Sequence, residues 1–166
     1  LSILASGSSL AFSKARPALD AMATRVFELG EAAGAGSSMK AVNQMLTGVQ
    51  IAAMAEALTF GMTQGVTPAQ FLDVISQCAG TSWALENRAP SIVSGDYRPL
   101  SAVDIWPKDL GIVLDIAKAA KFAAPITATA LQQYLAASGS GLGGEHDSAV
   151  AKVYARNAGL TLPGQG

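Results

Sequence analysis

Apolar positions in this chain follow two periods, one strand-like and brief, the other helical and sustained. Residues 1–7, Leu-Ser-Ile-Leu-Ala-Ser-Gly, read as a short extended run closed by Gly7. From Leu10 to Met22 the apolar residues Leu10, Ala11, Ala15, Ala18, Leu19 and Met22 recur at helical spacing, with Lys14, Arg16 and Asp20 between them. Arg25-Val26-Phe27-Glu28-Leu29-Gly30 alternates again and stops at a glycine. Beyond it the strand period does not return. A long, nearly uncharged run predicts a helix from about Ser38 to Gly65. Thr67-Pro68 then opens a helix to near Cys78, and Ser82 opens another that ends at Ser94-Gly95-Asp96. Pro107 starts a helix to Lys121 with Leu110, Val113, Leu114 and Ala117 inward. Pro125 starts one to about Ser138, and the last runs from Asp147 to Asn157.

This pattern predicts a mainly α chain in two parts. Residues 1–30 form one strand–helix–strand unit, which alone cannot make a sheet covered on both faces. They are expected to be the last piece of a larger α/β domain whose earlier strands lie outside this chain. Residues 31–166 are expected to be all-α. Between Ala41 and Leu72 the only charge is Glu56, so length alone would permit a membrane span. Asn43, Gln44, Thr47, Gln50, Gln64 and Pro68 interrupt that run on several faces, which favours a buried central helix or a subunit interface. Gly139-Ser-Gly141-Leu-Gly143-Gly144 matches G-x-G-x-x-G, but a helix rather than a strand precedes it, so a flexible linker is expected.

Composition narrows the function classes. Half of the residues are hydrophobic and 14% are charged, which fits a compact fold rather than a disordered chain. A net charge of −1 offers no basic footprint for nucleic acid or an anionic membrane. Cys78 is the only cysteine, so no intrachain disulfide can form and a reducing cytoplasm fits. The first seven residues carry no basic n-region and no signal-peptide core. His146, the only histidine, lacks a second ligand at metal spacing, and no zinc site is expected.

Candidate chemistry gathers at two lysines near helix starts. Lys40 follows Gly34-Ala-Gly36-Ser37-Ser38-Met39, a loop-to-helix junction where unpaired N–H groups attract anions and disfavour an ammonium. Asn43 and Gln44 lie three and four residues on and share its face. An ammonium beside two amides suits holding a hydroxy acid's oxygens and moving one proton; a solvated helix start is the plain alternative. Lys108, in Trp106-Pro107-Lys108-Asp109, again occupies a first turn, where a solvated Lys108–Asp109 pair is the plain alternative. Trp83 could wall a pocket, although its position reads first as an ordinary core tryptophan. No Gly-x-Ser-x-Gly elbow or phosphate loop occurs, and Glu56 is expected to pair with a neighbour.

These stretches also carry a resemblance. Gly34-x-Gly36-x-x-x-Lys40, the long helix with Ala55-Glu56-Ala57, and Lys108-Asp109-Leu110 resemble the β-hydroxyacid dehydrogenase family, which includes 3-hydroxyisobutyrate dehydrogenase and tartronate semialdehyde reductase. Ser82-Trp83-x-x-Glu86-Asn87-Arg88, Gly95-Asp96-Tyr97-x-Pro99-x-Ser101-Ala102-Val103-Asp104-Ile105 and Asp147-Ser148-Ala149-Val150 are similar to its L-threonate-oxidising subgroup. The resemblance implies an all-α C-terminal dehydrogenase domain preceded by the strand–helix–strand remnant of a Rossmann-type domain. It implies hydride exchange between a small hydroxy acid and NAD, with NADP left open, and no metal. Lys40 would be the catalytic lysine. Asn43, Gln44 and Trp83 would meet substrate, and Lys108 with Asp109 would approach the nicotinamide. The family places asparagine four residues after the lysine, where this chain has Gln44. The family's Gly-rich nucleotide loop and Ser-Gly-Gly substrate segment have no counterpart in these residues. The implied partners are the missing N-terminal Rossmann domain and, through the helical domain, further copies of the same protein.

Overall fold

The computed structural model describes residues 1–165. Backbone contacts divide it into two compact units, Leu1–Gln44 and the remainder from Met45 onward.

In the first unit, β1 (Ser2–Ala5) and β2 (Arg25–Glu28) pair in parallel, with Ser2 opposite Arg25 and Ala5 opposite Glu28. Helix α1 (Ser9–Met22) makes the crossover between them. Ser8 caps it, its hydroxyl accepting from the Ala11 N–H at 3.3 Å. No residue of α1 is buried within this unit, and Leu10 and Met22 stand exposed despite their helical spacing. Helix α2 (Ala35–Thr63) begins behind Gly34, whose φ of 91° suits only glycine comfortably. The helix thus starts three residues before Ser38. Gly36 explains the early start: a Cβ there would stand 2.5 Å from the Leu4 carbonyl oxygen, so only a bare backbone allows this turn against β1.

In the second unit α2 continues as the central element. Its buried residues Ile51, Ala52, Met54, Ala55, Leu58 and Thr59 form a stripe at i, i+3, i+4 and i+7 spacing. The helix is long and apolar enough to cross a bilayer, yet this stripe is covered by protein side chains. Gly65 (φ 83°) closes it, and α3 (Pro68–Ile75) follows. Thr67 and Gln70 cap α3 reciprocally: the Thr67 hydroxyl accepts from the Gln70 N–H at 3.2 Å, and the Gln70 side chain accepts from the Thr67 N–H at 3.0 Å. Helix α4 (Trp83–Ser94) is capped by Ser82 and stopped by left-handed Gly95. Helix α5 (Ile105–Ala119) starts two residues before Pro107, and buries Leu110, Val113 and Ala117 as its spacing predicts. Helix α6 (Pro125–Ala137) packs along α5.

The glycine-rich stretch after α6 is not a flexible linker. It continues the helix as a widened π turn over Ser138–Leu142, broken at Gly141. Asp104 organises it: its carboxylate accepts from the Ser138 hydroxyl at 2.6 Å, and its N–H donates to the Gly143 carbonyl at 3.1 Å. A Cβ on Gly143 would collide with that carboxylate, so the glycine serves close packing and not chain freedom. A 3₁₀ turn (Asp147–Val150) then leads into α7 (Ala151–Asn157).

Candidate active site

Lys40 is the sixth residue of α2, so its own N–H already lies inside the helix ladder rather than at the open mouth. Its side chain is exposed and turns one helical turn toward the C-terminus. There the Lys40 ammonium donates to Gln44 Oε1 at 2.7 Å. Asn43 Nδ2 donates to the same oxygen at 3.1 Å. The expected face therefore forms, with two donors converging on one acceptor. The helix-mouth argument for Lys40 does not hold, because Gly36 moved the helix start back by three residues.

The second unit carries the other candidates. Lys108, fourth in α5, has a 67% exposed side chain and pairs with Asp109 Oδ1 at 3.1 Å. Trp83 is the first residue of α4 and is 60% exposed, so it is not a core tryptophan. Trp106 holds that place at 3% exposure. Trp106 stacks on Tyr134 with ring centroids 5.7 Å apart, and the Tyr134 hydroxyl donates to the Gly48 carbonyl of α2 at 2.7 Å.

A buried polar network links these tryptophans. The guanidinium of Arg88 lies over the Trp83 ring, 5.3 Å from its centroid. Arg88 Nε sits 2.8 Å from Asp147 Oδ1; its N–H is not aimed along that contact, so the pair is held by charge rather than by a directed hydrogen bond. Asp147 is fully buried, and its Oδ2 accepts from Trp106 Nε1 at 3.2 Å. His146, 1% exposed, accepts the Ser148 N–H at Nδ1 (3.3 Å), with the Ser148 hydroxyl 2.8 Å away. Burial pushes the imidazole below its usual pKa, opposed by Asp147 and reinforced by Arg88. The ring is neutral at neutral pH.

Asp147 is held in place by the backbone around it. Its N–H donates to the Ser101 carbonyl at 2.7 Å, and the His146 N–H donates to the Tyr97 carbonyl at 2.8 Å. Lys152 fastens the same loop, its ammonium on Glu145 and 3.9 Å from the Tyr97 ring centroid. Burial beside Glu145 pushes the Tyr97 hydroxyl up to about 12. Sequence reasoning gave Arg88 and Asp147 no role. The spacing of Leu85, Arg88, Ala89 and Ile92 did hold a signal, because it places one arginine on the apolar stripe of α4.

Among the described residues no group of histidine, cysteine and acidic side chains could hold a metal ion. Comparison with known proteins decides the family. Residues 34–154 match the family model described as the NAD-binding domain of NADP-dependent 3-hydroxyisobutyrate dehydrogenase. The chain belongs to the 3-hydroxyisobutyrate dehydrogenase family. Within it, the chain is 50% identical to an L-threonate dehydrogenase of Cupriavidus necator, over 99% of this chain and 54% of that protein. It is 46% identical to the L-threonate dehydrogenase of Escherichia coli K12, over 99% of this chain and 53% of that protein. The crystal structure of a Salmonella typhimurium 3-hydroxyisobutyrate dehydrogenase superposes with a TM-score of 0.87 at 47% identity, covering 90% of this chain and 53% of that one. The chain thus spans about half the length of the relatives it matches, and the mainly α architecture is that of this family's fold.

Proposed function

We propose that this chain is the C-terminal part of an NAD-type dehydrogenase acting on a small sugar acid such as L-threonate. Residues 1–30 are assigned to the end of a Rossmann-type nucleotide domain, and residues 31–166 to an all-α substrate and subunit-contact domain. The parallel β1–β2 pair and the uncovered α1 support the first assignment.

One observation carries the functional reading. The Lys40 ammonium and the Asn43 amide converge on Gln44 Oε1, a point where two donors already satisfy one oxygen. A substrate hydroxyl or carboxylate oxygen meeting those donors would be oriented, and Lys40, once its ammonium has given a proton to solvent, is the group able to accept the hydroxyl proton and return it in the reverse direction. A bound nicotinamide supplies the hydride acceptor. Lys108 and Asp109, a donor and an acceptor 3.1 Å apart at the start of α5, fit the polar nicotinamide end. Trp83 offers an exposed aromatic wall for the substrate's carbon chain. Gln44 stands in the place of the family's asparagine, an amide one methylene longer.

Exposed apolar residues on α2 and α5, Phe60, Ile112 and Ile116, support self-association through the helical domain alongside catalysis. The test of the function is an assay of the full-length protein with L-threonate and NAD, following nicotinamide absorbance. Reduction with L-threonate faster than with 3-hydroxyisobutyrate is expected. No reduction of NAD or NADP with either acid overturns the reading.

A further inference from the structure

The exposed tryptophan on α4 does not stand by itself. Trp83 is 60% exposed, and the Arg88 guanidinium lies 5.3 Å from its ring centroid. Arg88 in turn is a long cation with many rotamers, which one ring contact cannot fix. What fixes it is the carboxylate behind it. Arg88 Nε lies 2.8 Å from Asp147 Oδ1, and Asp147 is fully buried, with its other oxygen taken by Trp106 Nε1 at 3.2 Å. The backbone of Asp147 is itself anchored through its N–H to the Ser101 carbonyl.

A charge in so dry a place is costly unless it does something a neutral residue cannot. A neutral asparagine could still accept from Trp106 and fill the same volume. Only a carboxylate holds a guanidinium by charge. We propose that Asp147 is a positioning residue for the substrate wall: through Arg88 it sets the orientation of the Trp83 indole. The relay runs from a rigid interior point to a surface ring, so the ring is preorganised without being buried. The functional half of this proposal rests on the reading that Trp83 meets substrate. The structural half does not.

The test uses full-length protein labelled with 5-fluorotryptophan, the Trp83 signal being assigned by Trp83→Phe. Asp147→Asn and Arg88→Met should each move the Trp83 fluorine resonance, and the two together should move it no further than Arg88→Met alone. A merely structural carboxylate would instead shift Trp106, its direct partner, and leave Trp83 in place. That result, or shifts that simply add, overturns the proposal. If either single variant does not fold, the double variant, which buries no unpaired charge, decides: an unmoved Trp83 signal there overturns it as well. In the kinetic arm, Asp147→Asn should raise KM for the hydroxy acid about tenfold, the low end of what one misplaced apolar contact is worth. It should leave kcat within about threefold, since no proton-transfer group is touched. A KM change in Asp147→Asn without one in Trp83→Leu would sink the relay. If both variants keep a normal KM while the fluorine signal moves, the positioning stands and the substrate-wall reading fails.

Discussion

Two side chains facing each other in a dry interior set the most demanding condition in this fold. Arg88 and Asp147 cost more to separate than to keep, because Asp147 without the half-buried Arg88 is a buried, unpaired charge. Asp147→Ala should therefore lower stability by roughly 3–5 kcal/mol, read as a drop in the denaturation midpoint, and it also strips Trp106 Nε1 of its acceptor. His146 adds a pH dependence of defined sign. Its folded pKa lies below the ordinary 6.5, so between those values the unfolded chain binds the proton more readily. Stability should then fall as pH drops below about 6.5, until the lowered folded pKa is passed. Melting curves of wild type and His146→Asn should diverge at neutral pH and converge through that acid window; parallel curves would show that the ring carries no such penalty. Little of this was legible beforehand. A lone histidine and an Asp-Ser pair look like helix-capping chemistry in sequence, and the arginine that completes the network lies about 60 residues upstream. Trp83 was misplaced for a related reason: nothing local distinguishes a tryptophan held by a cation at the surface from one buried by Tyr134.

Helix identity was legible where capping chemistry and period agreed. Thr67-Pro68 with Gln70, Ser82 before α4 and Pro125 as the first residue of α6 mark starts that the backbone uses as expected. The misses came from contacts between elements. Helix α2 begins early because Gly36 lies against β1, and the 139–144 stretch is ordered because Asp104 reaches it from another segment. Neither partner can be inferred from neighbours in the chain. The same logic gives a prediction within α2. A Cβ at Gly48 would stand 2.8 Å from the Trp106 ring and 2.9 Å from Leu110, where the helices α2 and α5 touch. Gly48→Ala should destabilise by about 1–3 kcal/mol through overpacking, although alanine favours a helix over glycine by up to about 1 kcal/mol. A variant more stable than wild type in thermal melts would show that the two helices can move apart freely.

At the scale of the whole molecule, the chain belongs to the 3-hydroxyisobutyrate dehydrogenase family and spans about half the length of the relatives it matches. The mainly α class was legible because helical periodicity persists from Ser38 onward while strand periodicity stops at Gly30. The site was legible only in part: spacing put Lys40, Asn43 and Gln44 on one face, but their roles came from resemblance, and the Arg88–Asp147 relay came from the fold alone. The central claim is that Lys40 moves the substrate proton, while the amides beside it only orient. Single-turnover hydride transfer in full-length Lys40→Ala, at saturating hydroxy acid and cofactor, tests this most directly. A rate lower by about a hundredfold or more, with hydroxy acid affinity within about tenfold of wild type, is the predicted result. A transfer rate equal to wild type, accompanied by altered self-association in sedimentation, would contradict it and leave the long helix as an assembly element.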